Sequence, residues 1–320
     1  MDNKTPSLFS YATKELSQDA FFCWLLEWSS EKYKNTDLYS ISKNFIKSII
    51  GDDITINKIV IKRQYKFIDF YIIINDNVII SFEDKVKSKF HGDQLQKYKV
   101  IMEKKYPNSK KIFVYIKTDL IMEKERIEVE KNGYIIIDII KLKAILLPDS
   151  KNNIYQDFYV ILHQKINSFL NFENIDRKNW KRNEWLGFFY KLSRKVNYYQ
   201  FWDFYLGETF GFDLEWISGF SEKDIHIILE IGKNTFFIKL YFNNTKIERV
   251  KIVNKYKKLF FDIFNGIDIQ KNNRIGRTTK LISFKDFMKT DEENNLDFEK
   301  TVAYIEKIRN IFLDGIKGIK

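Results

Sequence analysis

Two strongly apolar runs, Phe67 to Ile74 and Val78 to Phe82, are separated only by Asn75-Asp76-Asn77. Asn and Asp tolerate positive φ better than other non-glycine residues, so the triplet predicts a tight hairpin between two strands. This hairpin constrains the chain more than any other feature, because it also sets the place of three charges. Side chains two apart on a strand share a face, so Glu83 and Lys85 project together and Asp84 projects the other way. Pairing across the hairpin brings Asp69 alongside them.

The surrounding pattern supplies the rest of a sheet. Helical stretches are expected over Thr13 to Trp28 and Leu38 to Ile50, with Gly51 as a stop. A strand-like run covers Ile54 to Tyr65. Beyond Glu83 the chain turns polar and helical from Gly92 to Lys105, closed by Pro107, and two more strands follow at Lys111 to Lys117 and Tyr134 to Ile140. The order helix, helix, three strands, helix, strand, strand predicts a mixed α/β sheet flanked by helices. Pro148-Asp149-Ser150 and the next Lys-Asn-Asn form the best break. The expected division is a domain over 1–150, a bridging helix within 151–174 and an α+β domain over 175–320. In the last, an aromatic-rich helix around Trp180 to Leu192 precedes strands at Phe212 to Ser218, Asp224 to Ile231 and Thr235 to Phe242. A helix from Asp297 to Leu313 ends it.

Composition sets limits on function. The chain has 320 residues, 44% of them hydrophobic, which is enough for one or two ordinary cores. A net charge of +11 favours phosphate polyanions or an anionic surface, although the crowding of Lys, Asn, Ile, Tyr and Phe also fits an AT-rich coding sequence. The single cysteine, Cys23, lies in an apolar run and reads as a buried thiol in a reducing cytoplasm. No run approaches a membrane span and no signal peptide opens the chain, so a cytoplasmic protein without a membrane partner is expected. Three histidines, at 91, 163 and 226, lack spaced cysteine partners and argue against zinc. No Gly-rich loop is followed by Lys-Ser or Lys-Thr, and Gly207 to Gly211 reads as a turn rather than a phosphate loop.

Two carboxylates and an ammonium converging at a strand end suit a hard divalent cation, Mg²⁺ or Mn²⁺, which takes oxygen ligands and keeps several waters. Such an ion polarises a phosphate and acidifies a bound water, while Lys85 would orient that water or neutralise developing charge. The plainer account is a strand-end ion pair facing solvent. Glu-x-Lys alone carries little weight, since Glu103-Lys104-Lys105 repeats it inside an expected surface helix.

Over residues 8 to 145 the sequence resembles the PD-(D/E)XK nuclease superfamily, in the branch with an early Glu-bearing helix. Asp69 matches the acidic residue that ends the second strand, Glu83 and Lys85 match the Glu-x-Lys, and Gln94 with Tyr98 matches the Gln and Tyr of the next helix. Glu15 matches the glutamate of the first helix. Ile68 stands where the namesake proline would be. Asp84 fills the variable position, and its backbone carbonyl is the expected metal ligand beside Asp69 and Glu83. The resemblance implies a restriction-endonuclease-like fold and an endonuclease acting on DNA, of a kind found in bacterial or phage defence. Homodimers that cut both strands are a further family expectation.

Other residues carry double readings. Tyr98 shares a face with Gln94 and lines a substrate groove or is half-buried. Glu15 binds metal through water or caps its helix. Lys87, Lys89 and His91 contact phosphates or form a solvated loop. In the second domain Arg177, Lys178, Trp180, Lys181, Arg182 and Trp185 mix bases with aromatics, which suits phosphate contacts and stacking, while tryptophans at helical spacing read more plainly as core; Arg274, Gly276, Arg277 and Lys280 form a second cluster. Arg274 and Arg277, on a turn, are the better candidates for backbone contact. An alternative function for the whole chain is a sensor, whose C-terminal domain recognises an activating ligand or protein and gates a silent or non-catalytic nuclease fold.

Overall fold

A computed structural model describes residues 6–148, 150–199, 201–205, 209–218, 225–243, 249–272 and 274–317. The chain divides into two compact units, 1–167 and 168–320.

The first unit is a five-stranded mixed sheet with helices on both faces. Helix α1 (Glu15–Glu27) and helix α2 (Asp37–Ile50) come first. Gly51 ends α2 in the left-handed conformation at φ 89°, as its position after the last apolar residue predicts. Strands β1 (Ile59–Tyr65), β2 (Ile68–Ile74) and β3 (Val78–Lys85) form an antiparallel meander. Asn75 and Asp76 adopt φ 48° and 57° in the three-residue turn that joins Ile74 to Val78. A second turn holds Lys66 and Phe67 at φ 47° and 71°, so Phe67 is an exposed turn residue rather than the start of a strand.

After β3 the connections become crossovers. Helix α3 (Gln94–Lys105) leads to strand β4 (Lys110–Lys117), parallel to β3. Helix α4 (Glu123–Lys131) leads to strand β5 (Ile135–Asp138), parallel to β4. The sequence pattern shows no sign of α4. It also extends the last strand to Ile140, whereas Asp138 ends it by accepting a 3.0 Å hydrogen bond from the Lys141 amide and capping helix α5 (Ile139–Ile145). Helices α3 and α4 cover one face around Leu95, Tyr98, Met102 and Val129, while α1 packs against β1, β2 and β3.

Helix α6 (Asn153–Leu170) is the expected bridging helix, and up to Asn167 it belongs to the first unit. Phe158 stacks on Phe21 of α1 with ring centroids 3.7 Å apart, and the Tyr155 hydroxyl donates to the Leu147 carbonyl at 2.8 Å. The boundary therefore lies later than the Pro148 break, because aromatic packing draws the helix inward. Asp149 itself lies outside the described residues.

The second unit is α+β. Helix α7 (Arg182–Lys195) is followed by strands β6 (Phe201–Tyr205), β7 (Thr209–Ser218), β8 (Ile225–Gly232) and β9 (Thr235–Phe242). Helix α8 (Arg249–Ile263), strands β10 (Ile269–Lys271) and β11 (Thr278–Phe284) and helix α9 (Phe298–Lys317) complete it. The six strands pair antiparallel in the order β10-β11-β9-β8-β7-β6. Trp185, Phe188, Phe189, Phe212 and Phe312 are among its fully buried aromatics. The start expected at Asp224 and the first two residues of the expected 207–211 turn lie outside the described residues, whereas Thr209 to Gly211 are the beginning of β7 rather than a turn. Among the described residues no helix is long and apolar enough to cross a membrane.

Candidate active site

The site is built at the carboxyl end of β3. The β2–β3 register pairs Phe70 with Phe82, and their rings stack at 4.5 Å on one face. One step along, alternation turns Asp69, Glu83 and Lys85 to the opposite face. The Lys85 ammonium contacts Glu83 Oε1 directly and lies 4.0 Å from Asp69 Oδ2. Asp69 Oδ2 also accepts from the Asp84 amide at 2.8 Å, which ties the two strands at the site. Gln94, first residue of α3, donates to Glu83 Oε1 at 2.7 Å and to the Tyr98 hydroxyl at 2.8 Å.

Burial makes these charges unusual. The Glu83 side chain is 0% exposed and that of Asp69 20%. Burial first, then the Asp69 carboxylate, pushes the Glu83 carboxyl up to about 7, and Lys85 offsets this only in part. Asp69 is also raised, mainly by burial. For Lys85, burial lowers the ammonium pKa, but Glu83 and Asp69 outweigh it and the net direction is upward. Gln94 and Lys85 both engage Oε1 of Glu83, so Oε2 is left buried without a hydrogen-bond partner. A carboxylate oxygen of this kind has the chemistry to coordinate a hard cation.

The remaining candidates fall into different places. Glu15, at the start of α1, accepts from the Ser88 hydroxyl at 2.6 Å in the loop after β3. Lys87 is exposed in that loop and Lys89 is half-buried. Tyr98 is only 7% exposed, so its ring belongs to the core and its hydroxyl holds Gln94. The Asp84 side chain faces α1 and its backbone carbonyl accepts from the Lys85 ammonium at 3.0 Å. Arg274 and Arg277 are exposed on the connection between β10 and β11, in the second unit. Among the described residues no three His, Cys, Asp or Glu side chains gather closely enough to hold a metal ion by themselves.

Sequence reasoning missed a polar layer behind β3. Gln18 of α1 donates to the Asp84 carboxylate and accepts from the Thr118 hydroxyl. Asp19 is 1% exposed, and burial followed by the nearby Asp69 pushes its carboxyl up to about 6. Beside the site, Lys117 of β4 forms a buried ion pair with Glu125 of α4 at 2.6 Å, and Tyr115 donates to the same carboxylate at 2.7 Å. The signal for Gln18 was present: it falls one turn from Phe22 on the buried stripe of α1, where a polar residue needs a partner.

Comparison with known proteins found no match among family models, curated proteins or solved structures.

Proposed function

We propose that the first unit carries a Mg²⁺- or Mn²⁺-dependent phosphodiesterase centre of restriction-endonuclease-like type, an endonuclease for which the family resemblance implies DNA as substrate. The observation that carries this reading is the convergence of Asp69, Glu83 and Lys85 on one face at the end of β3, with Gln94 fastened to Glu83. An antiparallel meander followed by helix-linked parallel strands is compatible with that fold.

The donor set fits a hard cation. Mg²⁺ is commonly held by one or two carboxylates and several waters, so the absence of a third gathered carboxylate is no obstacle. Asp69 and Glu83 would hold the ion, with the Asp84 carbonyl as a third oxygen. When bound, it supplies Lewis acidity to the scissile phosphate and lowers the pKa of a coordinated water. The chain's own groups do the rest. Glu83 must ionise, and Gln94 then fixes its orientation while Tyr98 fixes Gln94. Lys85, released from Glu83 Oε1, presents its ammonium to the phosphate oxygens or to the attacking water. The exposed Lys87, in the loop after β3 that Glu15 holds through Ser88, would meet the phosphates.

The test is cleavage of supercoiled plasmid, single-stranded DNA and RNA with Mg²⁺ or Mn²⁺. Glu83→Ala and Lys85→Ala should each lower the rate by roughly a thousandfold while leaving the fold intact. Cleavage that survives in both folded variants would overturn the assignment. A second reading, a nuclease silent until the C-terminal unit binds a ligand or partner, is favoured by the basic cavity in that unit. It predicts a metal-loaded wild type that cuts only after an activator is added.

A further inference from the structure

At one end of the second sheet lies a cavity of about 630 Å³. Small-molecule sites typically span roughly 300–1,000 Å³. The walls come from the β8–β9 turn, from β10 and β11, and from the short turn Arg177–Asn179 that leads into α7. Arg177, Lys178, Lys233, Lys280 and Lys285 line it, against Asp286 as the one carboxylate of the lining. Lys285 is engaged by Asp268 at 3.0 Å. Lys280 has no such partner: its ammonium sits 3.9 Å over the Phe237 ring, and among the described residues no carboxylate lies within ion-pair distance of it. The Lys280 side chain is exposed overall, and desolvation of its ammonium lowers its pKa.

Like charges gathered round one cavity repel, and a bound anion relieves the repulsion. The rest of the lining asks for more than a bare anion. Trp180, Phe284 and Phe287, each at most 6% exposed, supply aromatic groups to the lining. Asn272 holds the Ser283 hydroxyl at 2.9 Å, and Asn234 and Gln270 add amides able to donate and accept. Two clusters far apart in sequence meet here, Arg177 to Trp185 and Lys280, whereas Arg274 and Arg277 do not line the cavity.

We propose that this cavity is a binding site for one nucleotide-sized phosphorylated ligand, with its phosphates on the lysines and its base met by the amides and the aromatic part of the lining. The site stands independently of the chemistry assigned to the first unit. The volume is of the order of one nucleotide rather than a strand, so a free nucleotide is the occupant argued for.

Titration calorimetry on the full chain tests it, with AMP, ADP, ATP and their guanine counterparts, pyrophosphate, and single-stranded oligonucleotides of increasing length. One nucleotide should bind once per chain with a dissociation constant on the order of 10 μM. Lys178→Glu and Lys280→Glu should each weaken it by about tenfold or more. Lys307→Glu, the same charge change at an exposed position of α9, should leave it unchanged. Each variant is first checked for a wild-type thermal midpoint. The proposal is overturned by a panel in which no nucleotide binds, or by pyrophosphate binding as tightly as the best nucleotide. Equal weakening by Lys307→Glu would overturn it too, as would oligonucleotide affinity that rises with length and displaces the nucleotide.

Discussion

A carboxyl group shut away from water resists ionisation, and the Glu83 side chain is shut away completely. Its folded pKa lies near 7, above the ordinary 4.5. A raised acid stabilises the fold fully below its unfolded pKa and loses that contribution as pH rises through the folded value. The metal-free protein should therefore become less stable between pH 4.5 and about 7, by on the order of 3 kcal/mol from this group. Urea unfolding at a series of pH values checks this, and Glu83→Gln should flatten that part of the curve. Because a cation binds the ionised form, apparent Mn²⁺ affinity should rise about tenfold per pH unit below 7 and level off above it. At this scale the sequence is informative where strand alternation decides which way a side chain points, as for Asp69, Glu83, Lys85 and Asp84. It is less so for Asp19, whose isolation depends on which helix face the sheet covers.

Elements with an apolar stripe or an alternating run were legible, among them α1, α2, α3, α6, α7, α9 and the strands β2, β3, β4, β7, β8 and β9. Helix α4 was not, because Glu123 to Lys131 is almost wholly charged and buries only Glu125 and Val129. Its anchor is the ion pair from Glu125 to Lys117 on β4. Burial lowers the Lys117 pKa even with Glu125 in place, so Glu125→Ala should leave a costly unpaired ammonium and destabilise the protein by roughly 3–5 kcal/mol in urea unfolding. Replacing both partners by apolar residues of similar volume should cost far less. Helix α8 has buried Ile252, Val253, Tyr256 and Phe260 at helical spacing, a stripe visible in sequence once sought. Strands β6, β10 and β11 are short or polar enough to pass for loop until a neighbour pairs with them. In α7, Gly187 lets the helix approach the last turn of α6: a Cβ there would meet the Phe169 carbonyl oxygen at 1.7 Å. Gly187→Ala should therefore cost about 3 kcal/mol or more, read as a lowered thermal midpoint.

On the scale of the whole molecule, two compact units each carry their own buried core. Scanning calorimetry should resolve two transitions, with Gly187→Ala moving only one and Glu125→Ala only the other. The second unit pairs its strands through an antiparallel sheet, whereas the first joins a local meander to two strands reached by crossovers. That difference has a consequence in time. Hairpins close in microseconds, while contacts distant in sequence must first overcome a larger loop entropy. Asp69 and Glu83 sit on the two arms of one hairpin, closed by Asn75 and Asp76. The two acids should therefore come together early in folding, and a one-residue slip of either arm would turn its acid to the other face and bring Phe70 or Phe82 into its place.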